Sequence, residues 1–226
     1  MNFDLSQVKL REVNQALHDL PEAGVTETIH LHNPRGAHAV ACGLRVAAKI
    51  EAHGPVGYYC AGMNQKAEIT VHGNAGTGVA ENMMSGLVRV KGNASQSAGA
   101  TAHGGLLIIE GDASARCGIS LKGADIVVQG SVGHMSAFMA QAGRMVIYGD
   151  AGEALGDSIY EARLYVRGSV ASLGADCIEK EMRDEHKAEL TELLSKADLP
   201  VQIDGFRRYG SARSLYSFKV TNASSY

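Results

Sequence analysis

The stretch LIIEGDAS, residues 107–114, decides the fold of this chain. An apolar run is followed by one polar residue, a glycine and, two positions after the glycine, a small residue. The same order returns in ITVHGNAG (69–76), VRVKGNAS (88–95) and MVIYGDAG (145–152). A phrase that recurs in this way indicates repeated structural units, and its spacing shows which kind of repeat it is.

The glycines of these phrases recur every 19 residues, as from Gly54 to Gly73, without insertion or deletion. Apolar residues lie two and four positions before each glycine, and small residues lie seven and thirteen positions after it. The seven glycines are Gly54, Gly73, Gly92, Gly111, Gly130, Gly149 and Gly168. The residues one position before them are polar throughout: His53, His72, Lys91, Glu110, Gln129, Tyr148 and Arg167.

This pattern predicts an all-β fold, a single-stranded right-handed parallel β-helix in which each coil lays one strand on the preceding one at about 4.8 Å. A left-handed hexapeptide coil does not fit, because 19 is not a multiple of six. The glycines are predicted to form tight corners, either because the backbone needs a positive φ or because stacked corners leave no room for a Cβ atom. Replacing Gly111 with valine should therefore damage the stack.

The chain divides into three predicted parts. Residues 1–28 form an N-terminal helical cap, with a helix over Leu10–Leu20; residues 29–176 form the β-helix; and residues 177–226 form a C-terminal helix and an extended tail. Asp176 and Glu179 suggest a capping box at the start of the second helix. Both helices are expected to cover the open ends of the stack.

Composition excludes several classes of protein. The net charge of −3 shows no nucleic-acid-binding footprint, and no apolar run approaches the roughly 20 residues of a membrane span. The N-terminus lacks the apolar block of a signal peptide. The four cysteines show no metal-like pairing. We therefore expect a cytoplasmic protein with reduced thiols that binds neither nucleic acid nor membrane.

The groups that could carry chemistry are explained by the repeat. Cys60 and Cys117 share one inward phase, and Asp112 and Asp150 occupy a turn position where they should bond local backbone. His53 and His72 are adjacent rungs, but the next rung is a lysine, so no third metal ligand follows. His30 and His32 fit the polar face of a strand, and GNAGTG (73–78) lacks the ending of a phosphate loop. No catalytic, cofactor-binding or metal-binding residue is predicted.

The tail after the second helix has no period and holds many of the few aromatic residues. Aromatic and arginine side chains are enriched at protein interfaces, so the tail could dock on a partner. The alternative is an ordered tail that packs on its own coils. The residues of the docking hypothesis are Phe206, Arg207, Arg208, Tyr209, Arg213, Tyr216 and Phe218.

Coils of the Gly-x-x-Gly-x-Gly (GXGXG) kind, as at Gly73, Gly76 and Gly78, resemble the β-helix domain that ends the large subunit of glutamate synthase. The segment ETIHLHNPRGAHAVACGL (27–44) resembles the entry strand and following turn of that domain, and the resemblance runs from about Leu10 to about Asp176. The helix LREVNQALHDL (10–20) and the tail FRRYGSARSLYSF (206–218) resemble the free-standing β-helix subunit of N-methylglutamate synthase.

The resemblance implies a non-catalytic structural subunit in a hetero-oligomer with a glutaminase-like subunit and an FMN-containing synthase-like subunit. Such a complex would convert methylamine and glutamate to N-methylglutamate and ammonia, with FMN in the partner and no cofactor in this chain. Residue 2 is Asn, whereas a glutaminase would carry its nucleophilic cysteine at the mature N-terminus. Two alternatives stay open, a subunit of formylmethanofuran dehydrogenase and a stand-alone β-helix binding module or lyase.

Overall fold

The 19-residue period folds into a stack of parallel strands. In the computed structural model, which describes residues 1–215, strands β1 to β9 pair in parallel in chain order. From β3 onward each parallel strand is in register with the strand one period later, so that Ile69 pairs with Val88 and Val88 with Leu107. The parallel strands are β1 Asn2–Asp4, β2 Ile29–His32, β3 Lys49–His53, β4 Glu68–Val71, β5 Leu87–Val90, β6 Leu106–Ile109, β7 Lys122–Val128, β8 Ala142–Ile147 and β9 Arg163–Val166.

The remaining elements flank the coils. Helix α1 spans Leu10–His18, strand β10 spans Cys177–Lys180, helix α2 spans Asp184–Lys196 and strand β11 spans Arg207–Ser211. A second wall of the stack is a line of parallel bridges that joins the small residues two positions after each corner glycine, as between Ala94 and Ala113. The interior columns are buried, and the chain is the predicted all-β, right-handed β-helix.

Six of the seven corner glycines are required by close approach and not by a positive φ. Gly54 has a φ of 140°, but the other six corner glycines do not lie in the positive region. A Cβ atom built on Gly111 would lie 2.1 Å from Asn93 Oδ1 and 2.9 Å from the carbonyl oxygen of Gly92, one coil earlier. On Gly168 it would lie 2.3 Å from the carbonyl oxygen of Gly149. Of the two predicted reasons for these glycines, only the lack of room for a side chain holds along the stack.

Residues with a left-handed backbone lie instead at alternate positions in the third wall of each coil, which is the turn segment that follows the line of bridges. In one coil they are Ser97, Gly99 and Thr101, with φ of 59°, 66° and 53°. The Ser97 N–H donates forward to Ala115 of the next coil, and the Gly99 N–H donates back to Val79 of the preceding one. Small residues seven positions after the corner glycine therefore sit where the backbone is left-handed and the side chain would point into the packed core.

The polar residues that follow the corner glycines form a ladder between coils. Asn93 N–H donates to Asn74 Oδ1 at 2.9 Å, Asp112 N–H to Asn93 Oδ1 at 2.9 Å, and Ser131 N–H to Asp112 Oδ1 at 2.7 Å. Asp150 N–H continues the line to Ser131 Oγ at 3.0 Å. The expectation of bonds to local backbone was wrong, since each side chain caps the backbone of the coil that follows.

The N-terminal residues add a strand as well as a helix. Strand β1 pairs with β2 and extends the sheet by one strand, which the sequence pattern did not predict. Helix α1 buries Val13 and Leu17 against the first coil. The Asn14 side chain donates to the Ala39 carbonyl at 2.8 Å and accepts from the Ala41 N–H at 3.0 Å, so it pairs with backbone groups at the open end of the third wall.

The predicted capping box at Asp176 is wrong, because residues 177–180 form strand β10. Helix α2 begins at Asp184, and its N-cap Arg183 donates its N–H to His186 Nδ1 at 3.2 Å. Asp176 accepts hydrogen bonds from Ser211 Oγ and from the Ser214 N–H and hydroxyl. Burial opposes ionisation of Asp176, but these hydrogen bonds outweigh it and lower its pKa to about 2. Asp176 therefore holds Ser211 and Ser214 of the tail by hydrogen bonds and does not begin a helix.

Helix α2 covers the outer face of the sheet and not the end of the stack. The outward column three positions before the corner glycines is polar at Glu51 and Arg89 but apolar from Ile108 onward. Leu190, Leu193 and Leu194 of the helix pack on the apolar part, and Arg89 donates to the Ala197 carbonyl at 2.7 Å where the helix ends. The buried cluster on this face comprises Leu106, Ile108, Val127, Val146, Tyr165, Leu190, Leu193, Leu194, Ala197 and Phe206.

The tail, not the helix, covers the edge of the last coil. Strand β11 lies antiparallel between β9 and β10, with Tyr209 opposite Leu164. The backbone groups of β9 that would otherwise form an open sheet edge are thereby paired. Residues 207–211 therefore belong to the fold, as the alternative interpretation of the tail held.

Candidate functional site

Four histidines form a stack on the outer face of the first coils. The rings of His32 and His53 are 4.8 Å apart, and those of His53 and His72 are 5.1 Å apart, with interplanar angles of 11° and 9°. His30 Nδ1 lies 2.9 Å from His53 Nε2, so one of these nitrogens donates to the other. These side chains are exposed or half-buried, because helix α2 ends at Arg89 and leaves this part of the sheet open.

Sequence reasoning found only two members of this stack. His53 and His72 are one period apart, but His32 pairs with His53 at a separation of 21 residues (53 − 32), so the 19-residue register does not reach β2. The sequence signal that could have identified the other two members was the pair His30 and His32 in strand β2. Within residues 1–215, no group of three or more His, Cys, Asp or Glu side chains is arranged to hold a metal ion. The stacked imidazole rings face one another. Protonation of more than one ring would therefore bring positive charges close together.

The electrostatics of the stack disfavour protonation of its central ring. Burial lowers the pKa of His53 below its ordinary value of 6.5, and the charges of His32, His72 and His30 lower it further. Glu51 acts in the opposite direction, but its carboxylate is hydrogen-bonded to His72. The folded chain therefore holds His53 neutral more strongly than the unfolded chain does.

This difference predicts that the fold weakens in mild acid. Between the lowered folded pKa of His53 and its ordinary value, the unfolded chain binds more protons, so stability rises with pH through that window. We expect the melting temperature to fall from about pH 7.5 to about pH 5.5, and to fall less in His53→Gln. His103→Gln, an exposed histidine outside the stack, is the control for differential scanning fluorimetry. Equal pH dependence in all three proteins would contradict the assignment.

The four cysteines lie in buried or half-buried positions. Cys60 and Cys117 are fully buried in the interior column, and burial raises the pKa of each thiol to about 12. Burial and the nearby Asp176 raise the pKa of Cys177 to about 12 as well. Cys42 is half-buried, and burial raises its pKa too. None of these thiols has the lowered pKa of a catalytic nucleophile.

Thiol reactivity checks this placement. We expect Cys42 to be the thiol that a water-soluble aromatic disulfide reagent modifies in the native chain, with Cys60, Cys117 and Cys177 reacting only after denaturation, because a buried thiol neither ionises nor meets the reagent. The absorbance of the aromatic thiolate that the reagent releases gives the number of cysteines modified. Cys42→Ser should abolish the native reaction; rapid labelling of Cys60 in the folded chain would show that the interior column is accessible.

The outer-face carboxylates are held in ion pairs. Glu110 lies 3.1 Å from Arg89 and 2.6 Å from Lys91, and Asp125 receives a bond from Arg144 Nε at 2.6 Å. β-Helix enzymes that act on acidic polysaccharides cluster carboxylates along one sheet, whereas here Glu110 and Asp125 are each paired with a cation. These ion pairs neutralise Glu110 and Asp125 and stabilise the face.

The tail residues do not form the predicted docking surface together. Phe206 is 6% exposed and Tyr209 is 2% exposed, so both are core residues, which corrects their assignment as partner anchors. Arg207 donates to the Gly168 carbonyl at 2.8 Å and Arg213 pairs with Glu161 at 2.7 Å. Arg208 donates to the Glu181 carbonyl at 2.9 Å. Tyr216 and Phe218 lie outside the described residues.

Comparison with known proteins gives a full-length relative. No family model matches the chain, and no helix in residues 1–215 is long and apolar enough to cross a membrane. Protein GlxC of Rhizobium meliloti (strain 1021) is 59% identical over 225 residues, which cover 99% of this chain and 99% of that protein. With this identity over the whole length, the chain belongs to the GlxC family.

Proposed function

We propose that this chain is a non-catalytic structural subunit of a glutamate synthase-related complex of the N-methylglutamate synthase type. It would scaffold a glutaminase-like subunit and an FMN-containing synthase-like subunit in the cytoplasm. The complex would convert methylamine and glutamate to N-methylglutamate and ammonia. The resemblance of the coils to the glutamate synthase β-helix domain and the membership in the GlxC family support this proposal.

The observation that carries the non-catalytic role is that the fold uses the cysteines, the turn aspartates and the glycine-rich stretch that were singled out in the sequence. Cys60 and Cys117 fill the interior, and Asp112 and Asp150 bond the backbone of the next coil. The glycines of GNAGTG belong to stacked walls, where a Cβ on Gly76 would lie 2.6 Å from the backbone of Gly57. A rigid stack with such walls suits a part that holds other chains in place.

Reconstitution tests the proposal. The tagged chain should copurify from its native cell with two further chains and a flavin absorption band, while the isolated chain should show neither flavin bands nor stoichiometric metal. Methylamine-dependent formation of N-methylglutamate should require this chain. Complexes with Cys60→Ala or Asp112→Asn should keep turnover within a few-fold of the wild type, since these residues act in packing.

Three results would contradict the proposal. Loss of turnover in Cys60→Ala, with normal folding and assembly, would place catalysis in this chain. Copurification with a molybdenum or tungsten enzyme, or activity of the isolated chain on a polysaccharide, would assign it to one of the alternative classes.

A further inference from the structure

A small basic pocket lies where the last coil, strands β10 and β11 and the first turn of α2 meet. Its volume is about 180 Å³. Its acidic and basic lining residues are Glu161, Arg163, Lys180, His186, Arg208 and Arg213. Cations therefore outnumber the single carboxylate of the lining, and the pocket is separate from the histidine stack on the first coils.

Two of the cations are already neutralised. Arg163 pairs with Glu189 of α2 at 2.8 Å, and Arg213 pairs with Glu161 at 2.7 Å. Lys180 and Arg208 are different, since within residues 1–215 no carboxylate lies within ion-pair distance of either side chain. The positive charge that stays uncompensated in this pocket belongs to these two residues.

The strand register forces Lys180 and Arg208 together. They are direct partners across the antiparallel pair of β10 and β11, so their side chains leave the sheet on the same face. Like charges directly opposite one another destabilise such a pair unless something neutralises them. Burial lowers the pKa of Arg208, and the nearby charges of Arg183 and Arg163 act in the same direction.

The same register keeps the space between these cations open. Gly210, two residues after Arg208, lines the pocket without a side chain. A Cβ atom there would meet only Lys180 Cδ at 3.6 Å and the Ala162 carbonyl oxygen at 3.7 Å, which are ordinary contacts. His186 is the third residue of α2, so the positive end of the helix dipole also lies at this pocket.

We propose that this pocket binds a small oxyanion, a phosphate or a carboxylate group, between Lys180 and Arg208. Guanidinium and ammonium groups form charge-assisted hydrogen bonds with both kinds of anion. The volume is below the roughly 300 Å³ at which pockets for drug-sized ligands begin, so it fits one anionic group and not a nucleotide. This inference does not depend on the proposed assembly of the chain.

Calorimetric titration of the full chain with sodium phosphate and, separately, with sodium glutamate, at constant ionic strength, tests the proposal. We expect saturable binding of at least one anion, and the two arms distinguish phosphate from carboxylate. Lys180→Gln and Arg208→Gln should each weaken binding at least tenfold. Gly210→Val should weaken it similarly by filling the space without removing a charge. Arg11→Gln, an exposed cation on α1, should leave binding unchanged.

Circular dichroism confirms that each variant is folded. If Arg208→Gln fails to fold because its bond to the Glu181 carbonyl is lost, Lys180→Gln and Gly210→Val decide the result. Absence of saturable binding of both anions would overturn the proposal. Equal weakening by Arg11→Gln would also overturn it, since the chain would then attract anions only through its overall charge.

Discussion

Replacement of Gly111 by valine is expected to lower the free energy of unfolding by about 3 kcal/mol, at the upper end of the usual cost of overpacking. The new Cβ would collide with Asn93 Oδ1 at 2.1 Å and with the Gly92 carbonyl oxygen at 2.9 Å. Asn93 Oδ1 accepts from the Asp112 N–H, so moving it away also breaks a rung of the ladder between coils. Thermal and urea unfolding followed by circular dichroism would measure the loss.

Gly210→Ala is the matched control, because Gly210 also lies in the sheet region with an ordinary φ but has room for a Cβ. We expect Gly210→Ala to change the stability by less than about 1 kcal/mol, because the added methyl group would make only ordinary van der Waals contacts. If Gly111→Val and the wild type had the same melting temperature, the coils would have to lie farther apart at this corner than the structure shows.

Removal of residues 205–226 is expected to cost most of the stability of the chain. Phe206 and Tyr209 are buried, and truncation of one such large side chain in a core costs about 3–5 kcal/mol. Strand β11 also pairs the edge of β9, so its loss would expose backbone groups of the last coil. A domain is stable by only about 5–15 kcal/mol in total, which these losses approach.

This outcome is the reverse of what the docking hypothesis for the tail implies, because a tail that serves only to bind a partner could be removed without loss of the fold. Thermal unfolding and limited proteolysis would measure it, with cleavage expected first in the last coil. The point variants Phe206→Ala and Tyr209→Ala should each reproduce part of the loss, whereas Val201→Ala, at an exposed apolar residue, should not. A truncated chain as stable as the wild type would show that β11 contributes little to the fold.

Much of the fold was predictable because a repeat imposes the same local problem on each coil. The apolar columns two and four residues before the glycines are interior, as at Val88 and Val90, and the column one residue before them faces outward. Even the interior place of Cys60 and Cys117 follows from phase alone. The reason is that in-register stacking makes residues one period apart neighbours in space, so position in the period specifies environment.

The flanking segments were predictable only in part, because no period constrains them. Residues 177–180 are compatible with a helix in isolation, but the antiparallel partner β11 holds them as strand β10. Ile108, Val127 and Tyr165 are apolar at outward positions, and this signal in the sequence marks the surface that α2 covers. Local propensity was overridden where a partner distant in the chain supplied the hydrogen bonds.

The sequence by itself thus determined the coil: its length, its inward and outward columns, and the need for glycine at each corner. Only the tertiary structure decided which segments cover the outer face and the last strand edge, and that lack of room for a Cβ is the reason why the corners need glycine. It also decided that His30 and His32 join His53 and His72 in one stack. It also brought Lys180 opposite Arg208. These arrangements depend on the pairing of strands from outside the repeat and on a first coil of unequal length, and the energies of such long-range contacts leave no period in the sequence.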